Sequence, residues 1–147
     1  NKFPKPVVMI HGNHESEETF RAKKFKNISY IHNSSYSFGD YLFVGYGGGG
    51  FSVIDPHFEK IGKKLDTIIK NNKGKKIVLV SHGPPYKTKL DKINGDYSGS
   101  KPLKKFIEKH NIELVLCGHI HENSGKQDFV GKARVVNPGP KGKILIV

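Results

Sequence analysis

Three short apolar runs, each followed at once by glycine and histidine, constrain this chain more than any other feature. Val7-Val8-Met9-Ile10 leads into Gly12-Asn13-His14-Glu15, and Ile77-Val78-Leu79-Val80 leads into Ser81-His82-Gly83-Pro84-Pro85. Residues 112–116 lead into Cys117-Gly118-His119-Ile120-His121. Two runs of four apolar residues, and Ile112-Glu113-Leu114-Val115-Leu116 with one acid among four apolar residues, all bounded by turn signals, read as buried strands, as in a parallel sheet. The segments between them have helical spacing. Asp55-Pro56 is a capping residue followed by proline at the first helical position, and Phe58, Ile61, Leu65, Ile68 and Ile69 form one stripe. Asn71-Asn72-Lys73-Gly74 ends that helix, and Ser100-Lys101-Pro102 opens a second with Leu103, Phe106 and Ile107 inward. Strand, loop and helix in repetition specify an α/β fold with a mixed sheet or pair of sheets. In such folds ligands bind at the carboxyl ends of the strands, where the histidines lie.

The remaining elements are shorter. Ser16-Glu17-Glu18 reads as a helix start, residues 28–31 as a strand, and residues 36–46 as a hairpin turning at Gly39-Asp40. Residues 133–136 and 144–147 read as closing strands. No repeat or low-complexity linker divides the chain, so residues 1–147 are expected to form one domain. Hydrophobic content of 35% and charged content of 26% fit a globular chain rather than a disordered one. No stretch approaches the ~18 apolar residues of a membrane-crossing helix. Residues 1–6 carry no leader pattern, and the single cysteine, Cys117, excludes an internal disulfide and fits a reducing cytoplasm.

Charge raises a separate possibility. The chain has 25 Lys+Arg against 13 Asp+Glu, a formal net charge of +12. Such an excess suggests nucleic acid or another acidic partner. Only Arg21 and Arg134 are arginines, however, and lysine is a flexible point charge without the planar fork that phosphates and bases favour. A solvated lysine-rich surface is the simpler reading, and nucleic acid is a disfavoured partner.

The loops themselves point to metal chemistry. Four of the eight histidines, His14, His82, His119 and His121, lie in the three loops. Imidazole is the commonest ligand of Mn, Fe, Zn and Ni, and Asn13 offers a neutral oxygen beside it. One such loop would read as structural; three in succession point to a convergent metal site. In order and spacing they resemble the last three motifs of the calcineurin-like metallophosphoesterases. Gly95 and Gly99-Ser100 before an apolar helix, with Asn137-Pro138-Gly139 near the end, resemble the small bacterial and archaeal phosphodiesterase branch.

That resemblance implies an αββα sandwich of two mixed β-sheets flanked by helices. It also implies hydrolysis of a phosphomono- or phosphodiester at a dinuclear centre, whose two ions lower the pKa of a shared water. Asn13, His82 and His119 would bind the second ion and His121 the first. His14 would protonate the leaving oxygen, with Glu15 orienting it. The implied cofactors are two divalent ions, Mn first, with Fe, Zn or Ni as alternatives. The lysines would form a rim that concentrates a phosphate-ester substrate. Selectivity among substrates is expected in loops such as residues 86–98.

The family's Asp-x-His and Gly-Asp motifs are expected before Gly12. Only eleven residues precede it, fewer than the ~30 that two strands and their crossover need. The expectation is therefore an N-terminally incomplete domain, holding one metal at most and poorly active by itself. Asp55-Pro56-His57, Gly39-Asp40 and Gly95-Asp96 copy the missing motifs in the wrong order, and read as a helix cap, a hairpin turn and a loop. Gly45 to Gly50 also matches the dinucleotide fingerprint, but no acidic residue ends the next strand, so it reads as a flexible loop near the site. His11 and His32 read as structural, His110 as a helix-end residue, and Cys117 as packing. The competing functional readings are a degraded scaffold of the same fold and a nucleic-acid-binding protein.

Overall fold

The computed structural model describes residues 5–21 and 26–147. Residues 1–4 of the opening segment, read above as lacking a leader pattern, lie outside the described residues. In chain order the elements are β1 (Val7–Met9), α1 (Glu17–Arg21), β2 (Ile28–Tyr30), β3 (Ser35–Phe38) and β4 (Tyr41–Tyr46). Then come α2 (Pro56–Lys70), β5 (Lys76–Ser81), β6 (Lys92–Ile93), β7 (Asp96–Tyr97) and α3 (Lys101–Lys109). The chain closes with β8 (Ile112–Leu116), a 3₁₀ turn at His121–Asn123, β9 (Gln127–Val130) and β10 (Ala133–Val136).

A six-stranded mixed sheet in the order β3-β4-β5-β8-β10-β9 forms the centre. Its four inner strands are parallel, and β3 and β9 close the edges antiparallel. β1 and β2 form a separate parallel pair. They join the main sheet through the His32–Gly45 bridge and the Asn33 N–H to Gly45 carbonyl bond of 2.9 Å. The α/β class and mixed sheet are therefore as expected, and β1–β2 and β6–β7 are two-stranded sheets beside it among the described residues.

Alternation along each parallel strand separates two apolar faces. Ile77 and Leu79 of β5 join Val115, Val135, Leu65, Leu103 and Phe106 beneath α2 and α3. Val78 faces the other way, with Leu114 and Val136, flanked by partly buried Phe43, Val80 and Leu116. Both helices start as the sequence predicts. The Asp55 carboxylate accepts from the Phe58 N–H at 3.0 Å, and the Ser100 hydroxyl accepts from the Leu103 N–H at 3.1 Å. Among the described residues no helix is long and apolar enough to cross a membrane.

Three expectations need correction. Residues 144–147 form no strand: Ile144 and Ile146 are 95% and 92% exposed, because β9 already occupies the edge beside β10. Only Leu145 of this segment packs against the second apolar face. β1 is half-buried rather than buried, since among the described residues it pairs with β2 alone. The β6–β7 hairpin and β9 are additional elements, too short or too polar to stand out in the sequence.

Leu79 is fully buried between the sheet and its helices. Leu79→Ala is expected to cost about 2–5 kcal/mol in urea unfolding, through lost contacts and a residual cavity. Ile144→Ala should stay within about 0.5 kcal/mol. Equal losses at the two positions would contradict this placement of the core.

Candidate metal centre

Parallel pairing brings the carboxyl ends of the strands to one edge, and backbone bonds carry the ladder one step beyond it. The His82 N–H donates to the Tyr46 carbonyl at 3.0 Å, and the Gly118 N–H donates to the His82 carbonyl at 2.9 Å. On the far side the Gly48 N–H donates to the His11 carbonyl at 3.1 Å, anchoring the loop that follows β1. The three histidine loops thus meet over a cleft of about 400 Å³ lined by Asn13, His14, Glu15, Phe51, His82, His119 and His121.

Three donor atoms converge there. His82 Nε2 lies 2.8 Å from Asn13 Oδ1 and 3.0 Å from His119 Nδ1. An ion about 2.1 Å from two donors at right angles would span them at ~3.0 Å. Nε2 carries one hydrogen at most, whereas a cation among the three atoms would accept a lone pair from each. Burial, reinforced by the neighbouring His119 ring, pushes His82 down to about 4. Burial also lowers His119, with His121 and His14 adding to the effect. Both rings are therefore neutral at pH 7, the state a metal ligand requires.

His119 fits poorly as a merely structural residue. Its φ of +67° lies in the left-handed region, strained for a non-glycine. Its Nε2 is buried without a hydrogen-bond partner among the described residues, a position that costs stability. The triad consists of two imidazoles and an amide. Among the described residues, no three His, Cys, Asp or Glu side chains cluster closely enough to hold an ion. The residues present fit one partial divalent site and show no second carboxylate-rich one.

His14 and His121 line the same cleft, are exposed, and make no side-chain hydrogen bond among the described residues. Glu15 departs from expectation: its carboxylate accepts from the Gly12 N–H at 3.0 Å, closing the loop on itself rather than orienting His14. Among the described residues no lysine lines this cleft itself; Lys141 lines an adjoining pocket that shares His119 and His121, and Lys60, Lys63, Lys105 and Lys109 line a groove between α2 and α3. Long side chains on the solvent face of an amphipathic helix follow that helix, not the strand ends.

Buried polar residues hold the loops in place. Asn137 Nδ2 donates to the Ile120 carbonyl at 3.1 Å, pinning the peptide between His119 and His121. Asp91, fully buried, accepts from the N–H groups of Lys87, Thr88 and Gly99 and organises the loop of residues 86–98. Asn123 donates to the Leu90 and Lys92 carbonyls, linking that loop to the 3₁₀ turn that begins at His121. His11 pairs with the Tyr30 hydroxyl at 2.6 Å, and His32 Nδ1 accepts from the Gly47 N–H at 2.8 Å. A Cβ on Gly47 would stand 2.5 Å from His11 Nδ1, so glycine is required where this loop passes the site.

The other motifs take their simpler readings. Asp55 is a cap that also accepts from the Tyr46 hydroxyl at 2.8 Å. Gly39 and Gly95 occupy turns at φ +53° and +96°. His110 caps the end of α3 3.1 Å from Asp66, and burial lowers its pKa. Cys117 is buried, which pushes its thiol up to about 12 and leaves it unreactive. Sequence reasoning missed Asp91 and Asn123, which look like ordinary loop residues, and Phe51, whose exposure in the cleft appears only in three dimensions.

Comparison with known proteins supplies the family. The family model for calcineurin-like phosphoesterase matches residues 1–123. The chain belongs to that family. It is 36% identical over 150 residues to the uncharacterized protein MJ1162 of Methanocaldococcus jannaschii, covering 92% of this chain and 64% of that relative. The crystal structure of TT1561 of Thermus thermophilus matches with a TM-score of 0.64 at 19% identity, over 91% of this chain and 63% of its own. A second crystal structure matches with a TM-score of 0.61 at 24% identity, over 77% of this chain and 46% of its own. At such identities these two likenesses are of fold alone. The family is one of phosphoesterases, and the chain spans about two-thirds or less of each of these relatives.

The histidine that anchors the glycine loop gives a pH test. Burial, with the His11 ring beside it, pushes His32 from 6.5 down to about 4. Between those values the unfolded chain binds a proton here that the folded chain does not, so stability falls as pH drops from 6.5 to 4. This residue contributes up to about 1.4 kcal/mol per pH unit within that window. Urea unfolding at pH 7, 6 and 5 should therefore show a shallower slope for His32→Asn than for the parent. An unchanged slope would remove His32 from this role.

Proposed function

We propose that this protein hydrolyses a phosphomono- or phosphodiester using divalent ions held in part by Asn13, His82, His119 and His121. The convergence of Asn13 Oδ1, His82 Nε2 and His119 Nδ1 carries the reading. A divalent ion, when bound, supplies Lewis acidity toward a phosphoryl oxygen and lowers the pKa of a water. Nitrogen and neutral oxygen donors favour Mn, Fe, Zn or Ni over Mg or Ca, and Mn is the first to test.

The chain's own residues divide the remaining work. Asn13, His82 and His119 form one half of a binding wall, and His121 on the same cleft would hold a neighbouring ion only together with further ligands. His14, which lines the cleft and is tied by no side-chain hydrogen bond among the described residues, would donate a proton to the departing oxygen as the P–O bond breaks. Asn137 keeps His119 and His121 in register by holding the Ile120 carbonyl. Glu15 acts one step back, by closing the loop that presents Asn13 and His14.

Hydrolysis of bis(p-nitrophenyl) phosphate by the full-length protein with Mn is the test. His14→Ala should lower kcat/KM by about 100-fold or more while metal content stays unchanged. His82→Ala should lower both metal content and activity. Normal turnover by His14→Ala would overturn its assignment, and metal-independent turnover would overturn the proposal.

A further inference from the structure

Phe51 lines the cleft and has no part in the chemistry above. It follows four glycines, 47–50, so it is the first side chain that this loop brings to the site. Its ring centroid lies 4.5 Å from that of His119, with the planes inclined by 59°. Even so, it is 65% exposed, whereas Phe58 and Phe106, which pack the core, are 2% and 7% exposed. A phenylalanine left this open, among cleft residues that are mainly histidine, asparagine and glutamate, does little for folding.

The ring is held where it is. The Ser52 N–H donates to the Gly50 carbonyl at 3.0 Å, making a three-residue turn with Phe51 at its centre. The Lys101 N–H donates to the Val53 carbonyl at 3.1 Å, tying the next stretch to the start of α3. Behind the turn, the Gly50 carbonyl lies 3.5 Å from where a Cβ on Gly83 would stand, so this backbone packs closely on the His82 loop. Fixed backbone on both sides presents an open aromatic face beside a proposed metal ligand.

We propose that Phe51 is a stacking platform that selects phosphoesters whose phosphorus carries a nucleoside or other planar aromatic group. The inference rests on the phosphoesterase reading, which puts phosphorus beside His119. A ring bonded to that phosphate through a sugar or an oxygen then lies over Phe51. Stacking uses the π-face common to all bases, so it favours aromatic over aliphatic esters without reading base identity. A phenylalanine that merely supported His119 could be replaced by leucine with no effect on ligand choice.

The test compares AMP with ribose 5-phosphate, which share phosphate and sugar and differ by the base. Calorimetric binding to the full-length protein carrying His14→Ala, with Mn present, avoids turnover. AMP should bind about 10-fold more tightly or better. That preference should fall to about 1 in Phe51→Ala and Phe51→Leu and persist in Phe51→Trp, with ribose 5-phosphate binding unchanged throughout. Equal binding of the two ligands to the parent, or a preference that survives Phe51→Ala, would overturn the platform. Hydrolysis of bis(p-nitrophenyl) phosphate by the wild type reports separately on the phosphoesterase reading, so the two failures are distinguishable.

Discussion

Parallel pairing of β4, β5 and β8 is the constraint on which the site depends. Tyr46 pairs with Ser81 and Val80 with Leu116, so the three strands end level with one another. The next residues, Gly47, His82 and Cys117, therefore leave the sheet at a single edge. Register decides everything beyond that point, because a slip of one residue would turn every side chain to the opposite face. The core prevents the slip: Leu79 and Val115 are fully buried on the helix side, and Val78 and Leu114 are buried on the other. Apolar packing far from the cleft thus fixes where His82 and His119 stand.

Strain and polar satisfaction complete the arrangement. His119 is held at φ +67° with a buried nitrogen that has no partner among the described residues, a combination that persists only when its surroundings impose it. Asn137, Asn123 and Asp91 are those surroundings. Each is buried, and each bonds backbone of the loops at this end of the sheet: Asn137 the Ile120 carbonyl, Asn123 the Leu90 carbonyl, and Asp91 the Thr88 N–H. A buried carboxylate accepting three backbone N–H groups is costly to disturb, so the loop of residues 86–98 is a built wall rather than a slack connection.

Much of this was legible in the sequence, because it is local. Asp55-Pro56 and Ser100-Lys101-Pro102 are complete helix starts within a few residues, and the apolar stripes of α2 and α3 follow the helical period. The histidine loops were legible because chemistry and glycine occur together after each buried strand. What was not legible depends on distant partners. Residues 144–147 have strand composition, but the position beside β10 is taken by β9, a strand of mixed polarity. Glu15 turns to the Gly12 N–H, a choice decided by loop shape and not by residue type. The lysines signal charge, but only the fold shows that those of α2 and α3 flank a groove between the helices and not the cleft.

The central claim is that Asn13, His82 and His119 are gathered to hold a cation. Anomalous diffraction from crystals of the full-length protein grown with Mn tests it most directly. The account predicts a Mn peak about 2.1 Å from Asn13 Oδ1, His82 Nε2 and His119 Nδ1, with the contacts among those atoms replaced by bonds to the ion. A Mn-loaded structure with its ions elsewhere, and with His82 Nε2 still 3.0 Å from His119 Nδ1 as a simple hydrogen bond, would contradict it.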